Sequence, residues 1–106
     1  MVLIVLESWW PVGKSAEVGK LFLEAMKKYP VDKSIAKREI QALWTVKEGM
    51  HIISIYSIKP GKVKEAMDNT TNRLLMLASI EGYKSQINIA YDIVEAMPLI
   101  GLKAPE

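Results

Sequence analysis

Glu7, Glu39, Asp92 and His51 are the side chains of this 106-residue sequence that could move protons near neutral pH, provided folding desolvates or pairs them. Gln41, Thr45, Ser54, Tyr56 and Asn88 carry hydroxyl or amide groups able to orient a ligand by hydrogen bonds, and Trp9 can supply an aromatic wall. The absence of cysteine removes disulfides, thiolate nucleophiles and cysteine-ligated metals together, and it fits a reducing compartment, so a cytoplasmic location is expected. His51 is the single histidine, stands beside a hairpin and has no ligand partner near it in sequence; no metal site is expected. Gly13-Lys14-Ser15 echoes the end of a phosphate-binding loop but has Ser8 where that loop requires its first glycine, so Ser15 is expected to cap a helix instead. Lys59, Lys62 and Lys64 cluster at a helix start and read as a solvated patch. None of these residues forms a catalytic signature, and their meaning depends on the elements that gather them.

The central element is His51 to Ile58, where Ile52, Ile53, Ile55, Tyr56 and Ile58 put apolar groups on both sides of an extended segment. Lys59-Pro60-Gly61 stops it, because proline brings no N–H to a ladder. Val2 to Trp10 is a second two-sided apolar run, ended by Pro11; in it Trp9 and Trp10 point to opposite faces. Val18, Leu21, Phe22, Ala25, Met26 and Tyr29 recur at helical spacing, with Glu17, Lys20, Glu24, Lys27 and Lys28 on the other side. Ile40, Ala42, Trp44 and Val46 alternate as a strand, and Lys47-Glu48-Gly49-Met50 is a hairpin turn. A second helix turns Val63, Ala66, Met67, Thr70, Leu74, Leu77 and Ala78 inward, and Arg73 is placed outward with the other charges. Tyr83 to Glu95 alternates as the last strand. The apolar tail 96–106, broken by Pro98 and Gly101, is expected to dock on the fold or on a partner subunit rather than form a helix.

This order, β-α-β-β-α-β, with right-handed crossovers, predicts an α+β fold: a ferredoxin-like plait whose four-stranded antiparallel sheet runs 4-1-3-2 with both helices on one face. At this length the chain is one domain, 1–106, with a single core. The net charge of +2 is spread without a block of one sign, so neither nucleic acid nor a membrane surface is an expected partner. The apolar start Met1 to Leu6 has no basic flank and runs into Glu7, the pattern of a strand rather than of a signal or span. Two-sided apolar strands over one layer of helices leave a sheet face needing cover, and a homodimer or higher homo-oligomer is expected to supply it.

With Glu48-Gly49 as the loop, Trp44 would lie opposite Ile53, Ala42 opposite Ile55 and Gln41 opposite Tyr56. The row Ile40, Ala42, Trp44, Val46, Ile53 and Ile55 is then expected to pack on the helices, together with Val2, Ile4, Leu6, Ile87, Ile89, Tyr91 and Ile93. The second face is expected to hold Glu7, Trp9, Glu39, Gln41, Ser54, Tyr56, Asn88 and Asp92, the candidate ligand-binding residues, along with Leu3, Val5, Leu43, Thr45, Ile52 and Ala90. Two such faces meeting would share a chamber. No residue is assigned a catalytic role.

The pieces EGMHIISIYSIKPGKVKEA and IEGYKSQINIAYDIVEAMPLIGLK resemble small domains of unknown function in the dimeric α/β-barrel superfamily, and the likeness extends over nearly the whole sequence. The resemblance implies sheets paired back to back, in a group that includes cofactor-independent monooxygenases, isomerases, haem proteins and amino-acid-binding regulator domains. Haem-binding relatives use a histidine on a helix; both helices here lack one, so no cofactor is expected. The monooxygenases use a tryptophan-lined cleft between sheet and helices, the side that the sorting above makes almost wholly apolar. Two functions stay open: a homo-oligomeric module that binds a small molecule or serves assembly, and a small cofactor-independent enzyme acting on an aromatic or enolisable substrate, with Glu7, Glu39, Asp92 or His51 as acid–base groups.

Overall fold

The computed structural model describes residues 1–103. Its elements run β1 (Val2–Trp10), α1 (Ser15–Lys28), β2 (Ala36–Val46), β3 (Gly49–Ile58), α2 (Val63–Leu77), β4 (Lys84–Tyr91) and α3 (Ile93–Leu99), with a 3-10 turn at Val12–Lys14 between β1 and α1. The strands form one antiparallel sheet in the order β2-β3-β1-β4, the ferredoxin-like plait expected from the sequence. The two central strands are the two with apolar groups on both sides, because only interior strands are covered on both flanks of the ladder as well as on a face.

The register corrects the sorting of faces. The hairpin turns at Lys47-Glu48, so Val46 faces Gly49, Trp44 faces His51, Ala42 faces Ile53 and Gln41 faces Ser54. Gly49 carries φ +137, and a Cβ there would lie 2.3 Å from the Trp10 carbonyl oxygen, so the strand starts on the one residue without a side chain. Strand β1 pairs Ile4 with Tyr56, Leu6 with Ser54 and Ser8 with Ile52, which puts the row Gln41, Ile52, Ser54, Tyr56 on the side of Ile4 and Leu6. That side is the one the helices cover: Ile4, Tyr56 and Ile58 pack with Ala66 of α2, and Trp10 packs with Val18 of α1 and Leu77 of α2. The apolar row Ile40, Ala42, Trp44, Ile53 and Ile55, expected under the helices, lies on the bare face with Leu3, Val5, Glu7 and Trp9. The β1 and β4 rows fall as expected, with Asn88 and Ala90 on the bare face. A β-bulge between Arg38 and Ile40 reverses the alternation within β2, so that Ala36 is buried opposite Ile58 while Ile40, an even number of positions on, is outside.

The chain ends differ from expectation as well. Strand β4 stops at Tyr91, and the Asp92 carboxylate accepts the Val94 amide N–H at 2.9 Å, starting a seven-residue helix where a broken tail was expected. Pro98, in the last turn, brings no N–H for the Val94 carbonyl, and the helix ends one residue later. Ile93, Val94, Leu99, Ile100 and Leu102 stay exposed, and the rest of the tail, 104–106, lies outside the described residues.

Candidate site between sheet and helices

The two apolar clusters of the core sit at opposite ends of the helix-covered face, and between them the sheet carries Ser8, Ser54 and Gln41 beside Leu6. Ser8 and Ser54 are each 1 % exposed. Above them, α1 and α2 leave a cavity of about 240 Å³, lined among others by Trp10, Phe22, Gln41, Tyr56, Arg73 and Tyr83. At roughly 30 Å³ per water, it has room for about eight waters or a small organic molecule. Most of the wall is apolar, from Leu6, Val18, Leu43, Met50 and Ile52 in addition to the aromatic rings.

Its polar groups are held in order by their neighbours. The Trp10 indole N–H donates to Ser15 Oγ at 3.1 Å, so Ser15, expected as a helix cap, instead anchors the tryptophan; no side chain caps α1. Trp10 and Tyr83 lie nearly parallel, 6.1 Å apart, and the Tyr83 hydroxyl donates to Ser8 Oγ at 2.7 Å. Burial raises the Tyr83 phenol above its ordinary value of 10.0, and the bond to Ser8 offsets part of that rise. Arg38 donates to Gln41 Oε1 at 3.0 Å, and the Gln41 amide in turn donates to Ser54 Oγ at 3.0 Å. Three of the candidate binding residues, Gln41, Ser54 and Tyr56, are thus together here, on the opposite side of the sheet from the one expected.

Arg73, expected on the outward side of α2, lies on its buried side. It is 6 % exposed, donates to the Tyr29 carbonyl at 2.9 Å and to Thr70 Oγ1 at 3.3 Å, and holds its guanidinium 5.8 Å from the Tyr56 ring centroid. The spacing of Ala66, Thr70, Arg73 and Leu77 puts it at the middle of the buried stripe of α2; that spacing was the available signal, and residue type outweighed it.

The remaining candidates lie elsewhere. On the bare face, the His51 ring stacks on Trp9 at 4.6 Å and 14° and meets Trp44 at 4.3 Å and 57°. Its Nε2 is buried, has no hydrogen-bond partner among the described residues and stands 3.6 Å from Glu7 Oε1. Glu39, at the bulge, accepts from Ser57 Oγ at 2.8 Å, and Ser57 lies opposite Leu3, four residues along β1 from Glu7. Asn88 is exposed opposite Val5, and Asp92 is spent on α3. The acids therefore do not converge, and among the described residues neither a carboxylate nor an imidazole lines the cavity. Groups of three or more potential metal ligands are also absent among the described residues. Among the described residues no helix is long and apolar enough to cross a membrane.

No protein-family model matches the chain, and no curated protein does. Among solved structures it is similar to the de novo designed protein Foldit4, at 9% identity and TM-score 0.53 over 86% of this chain and 96% of that one. It is similar also to a tripeptidase (SAV1512) from Staphylococcus aureus, at 13% identity and TM-score 0.51, over 96% of this chain and 35% of that one. A third likeness is to Rv0793 from Mycobacterium tuberculosis, at 10% identity and TM-score 0.49 over 87% of this chain and 95% of that one. At such identities the likeness is one of fold, and what the cavity does must be read from its own residues.

Proposed function

We propose that this protein binds a small, mostly apolar molecule in the cavity between its sheet and helices. One observation carries the reading: buried, ordered polar groups converge on an apolar cavity at a place where the core could have been filled by larger side chains. A row of serines under a closed core would waste burial worth about 1.5–3 kcal/mol for each large apolar side chain they replace. Binding rather than acid–base turnover is favoured, since the acids and His51 stand on the other face. The test is tryptophan fluorescence and thermal unfolding with a panel of neutral aromatics such as 2-naphthol, compared in the wild type and in Gly19→Leu. Gly19 borders the cavity with nothing within 4 Å of an added Cβ, so leucine can be introduced to narrow it. Quenching and stabilisation in the wild type, weakened in Gly19→Leu, are expected; equal responses in the two proteins would refute the site.

The second part of the proposal is self-association through the bare face. Ile40 is 52% exposed and Trp44 43%, beside the half-buried Val5, Trp9, Ile53 and Ile55, an apolar surface larger than single scattered residues produce. A second copy of the same face would cover it, as the resemblance to dimeric α/β barrels suggests, and this makes a cytoplasmic homodimer the expected form. Light scattering coupled to size exclusion at micromolar concentration should give twice the monomer mass, and a monomer there would end this part of the proposal.

A further inference from the structure

We propose that the molecule bound in this cavity is an apolar monocarboxylate, its anionic oxygens held by Arg73. The inference rests on the binding role just proposed and adds the ligand's charge. An arginine is never neutral in a protein, so burial leaves its charge to be compensated by neighbours. Here the compensation is incomplete: one carbonyl, one hydroxyl and one aromatic face, with no carboxylate within 4 Å among the described residues. Only two of the five N–H donors of the guanidinium have acceptors among the described residues.

The other polar groups point to the same ligand. Gln41 spends its oxygen on Arg38 and directs its N–H at Ser54, so the Ser54 oxygen already accepts one bond and its own hydrogen remains to be given. Ser8 stands in the same position under Tyr83. The cavity thus offers hydrogen-bond donors whose acceptor capacity is partly consumed, a buried positive charge and no negative one, inside an apolar wall. A carboxylate can take two parallel N–H bonds from one guanidinium, which a hydroxyl or amide cannot match. The apolar wall then asks for a ring or short chain behind that group. The bond from Arg73 to the Tyr29 carbonyl also closes the end of α1, so the arginine has a structural share that the test must separate.

Calorimetry and tryptophan quenching with three matched pairs, benzoate, phenylacetate and 2-naphthoate each against its primary amide, make that separation. The wild type should bind at least one carboxylate tenfold or more tightly than its amide. In Arg73→Met that preference should vanish through loss of carboxylate affinity alone, while the amide keeps its affinity within about twofold. Arg73→Lys, with the charge but not the fork, should fall between. Equal affinity for acid and amide in the wild type, or an unchanged preference in Arg73→Met, overturns the inference and leaves the binding site standing. Failure of all six compounds to bind removes the site and the inference together. If Arg73→Met does not fold, the wild-type ratio and Arg73→Lys still decide.

Discussion

Tyr83 and His51 show how little the type of a residue says about its work before its neighbours are known. The sequence marks Tyr83 only as the start of the last strand, yet its ring lies along Trp10 and its hydroxyl holds a serine that is almost wholly buried. Its phenol is raised in the folded protein, so the folded form keeps its proton at a pH where the unfolded chain has lost it; the stability this gives is present below about pH 10 and is lost as pH rises through the folded value. Spectrophotometric titration should show this phenolate appearing late, and Tyr83→Phe should remove that late component while costing about 1 kcal/mol for the bond to Ser8. His51 has acquired the partners that its local sequence lacks, two tryptophans and Glu7. His51→Ala should cost ~1–3 kcal/mol in urea unfolding, from two aromatic contacts. A cost near zero would mean that the stack contributes nothing.

The β2–β3 hairpin sets the faces of the sheet, and its turn and bulge are the positions where change should do most harm. Gly49→Ala would drive a methyl group into the Trp10 carbonyl at a positive φ, and at least about 2 kcal/mol of stability should be lost in denaturant unfolding. A milder loss would show that the strand start can shift to make room. Helix α3 is held mainly at its first turn, since it buries none of its residues. Asp92→Ala should therefore fray it, removing about 1 kcal/mol of capping energy, and amide exchange at Val94 to Leu99 should quicken while the sheet is unaffected. Exchange unchanged in that segment would show that something other than the cap holds it.

At the scale of the whole molecule, one sheet serves two purposes on its two faces: an interior with a polar middle, and an apolar exterior. Placing a charge at Trp44 or Ile53 should break the proposed self-association while the core and cavity remain, because both residues lie on the face opposite the helices. Under that proposal Trp44→Glu is expected to run at half the mass of the wild type in light scattering, with thermal unfolding of the monomer still cooperative. Loss of folding in place of dissociation would indicate that the protomer is not stable by itself.

Element order, strand pairing and the position of the two long helices were all legible in the sequence, because each depends on local patterns: apolar runs stopped by Pro11 and Pro60, helical spacing from Val18 to Tyr29, and a glycine at the hairpin. The rows within each strand were legible too, since Gln41 does share a face with Ser54, and Trp44 with Ile53. Which row of the β2–β3 hairpin the helices cover was not. Alternation separates two rows but does not say which is inside, and the rule that the more apolar row goes inward fails here, where the inner row lines a cavity and the outer row of Ile40, Trp44, Ile53 and Ile55 is left without cover from the helices. That choice, fixed by pairing Ile4 with Tyr56 across strands far apart in the chain, puts Gln41, Ser54 and Tyr56 in the interior and separates them from Glu7 and Glu39, which stay on the bare face where they were expected. Tertiary structure alone also brought Arg73 beneath α1, where burial gives its charge a meaning that its place among the polar residues of α2 did not.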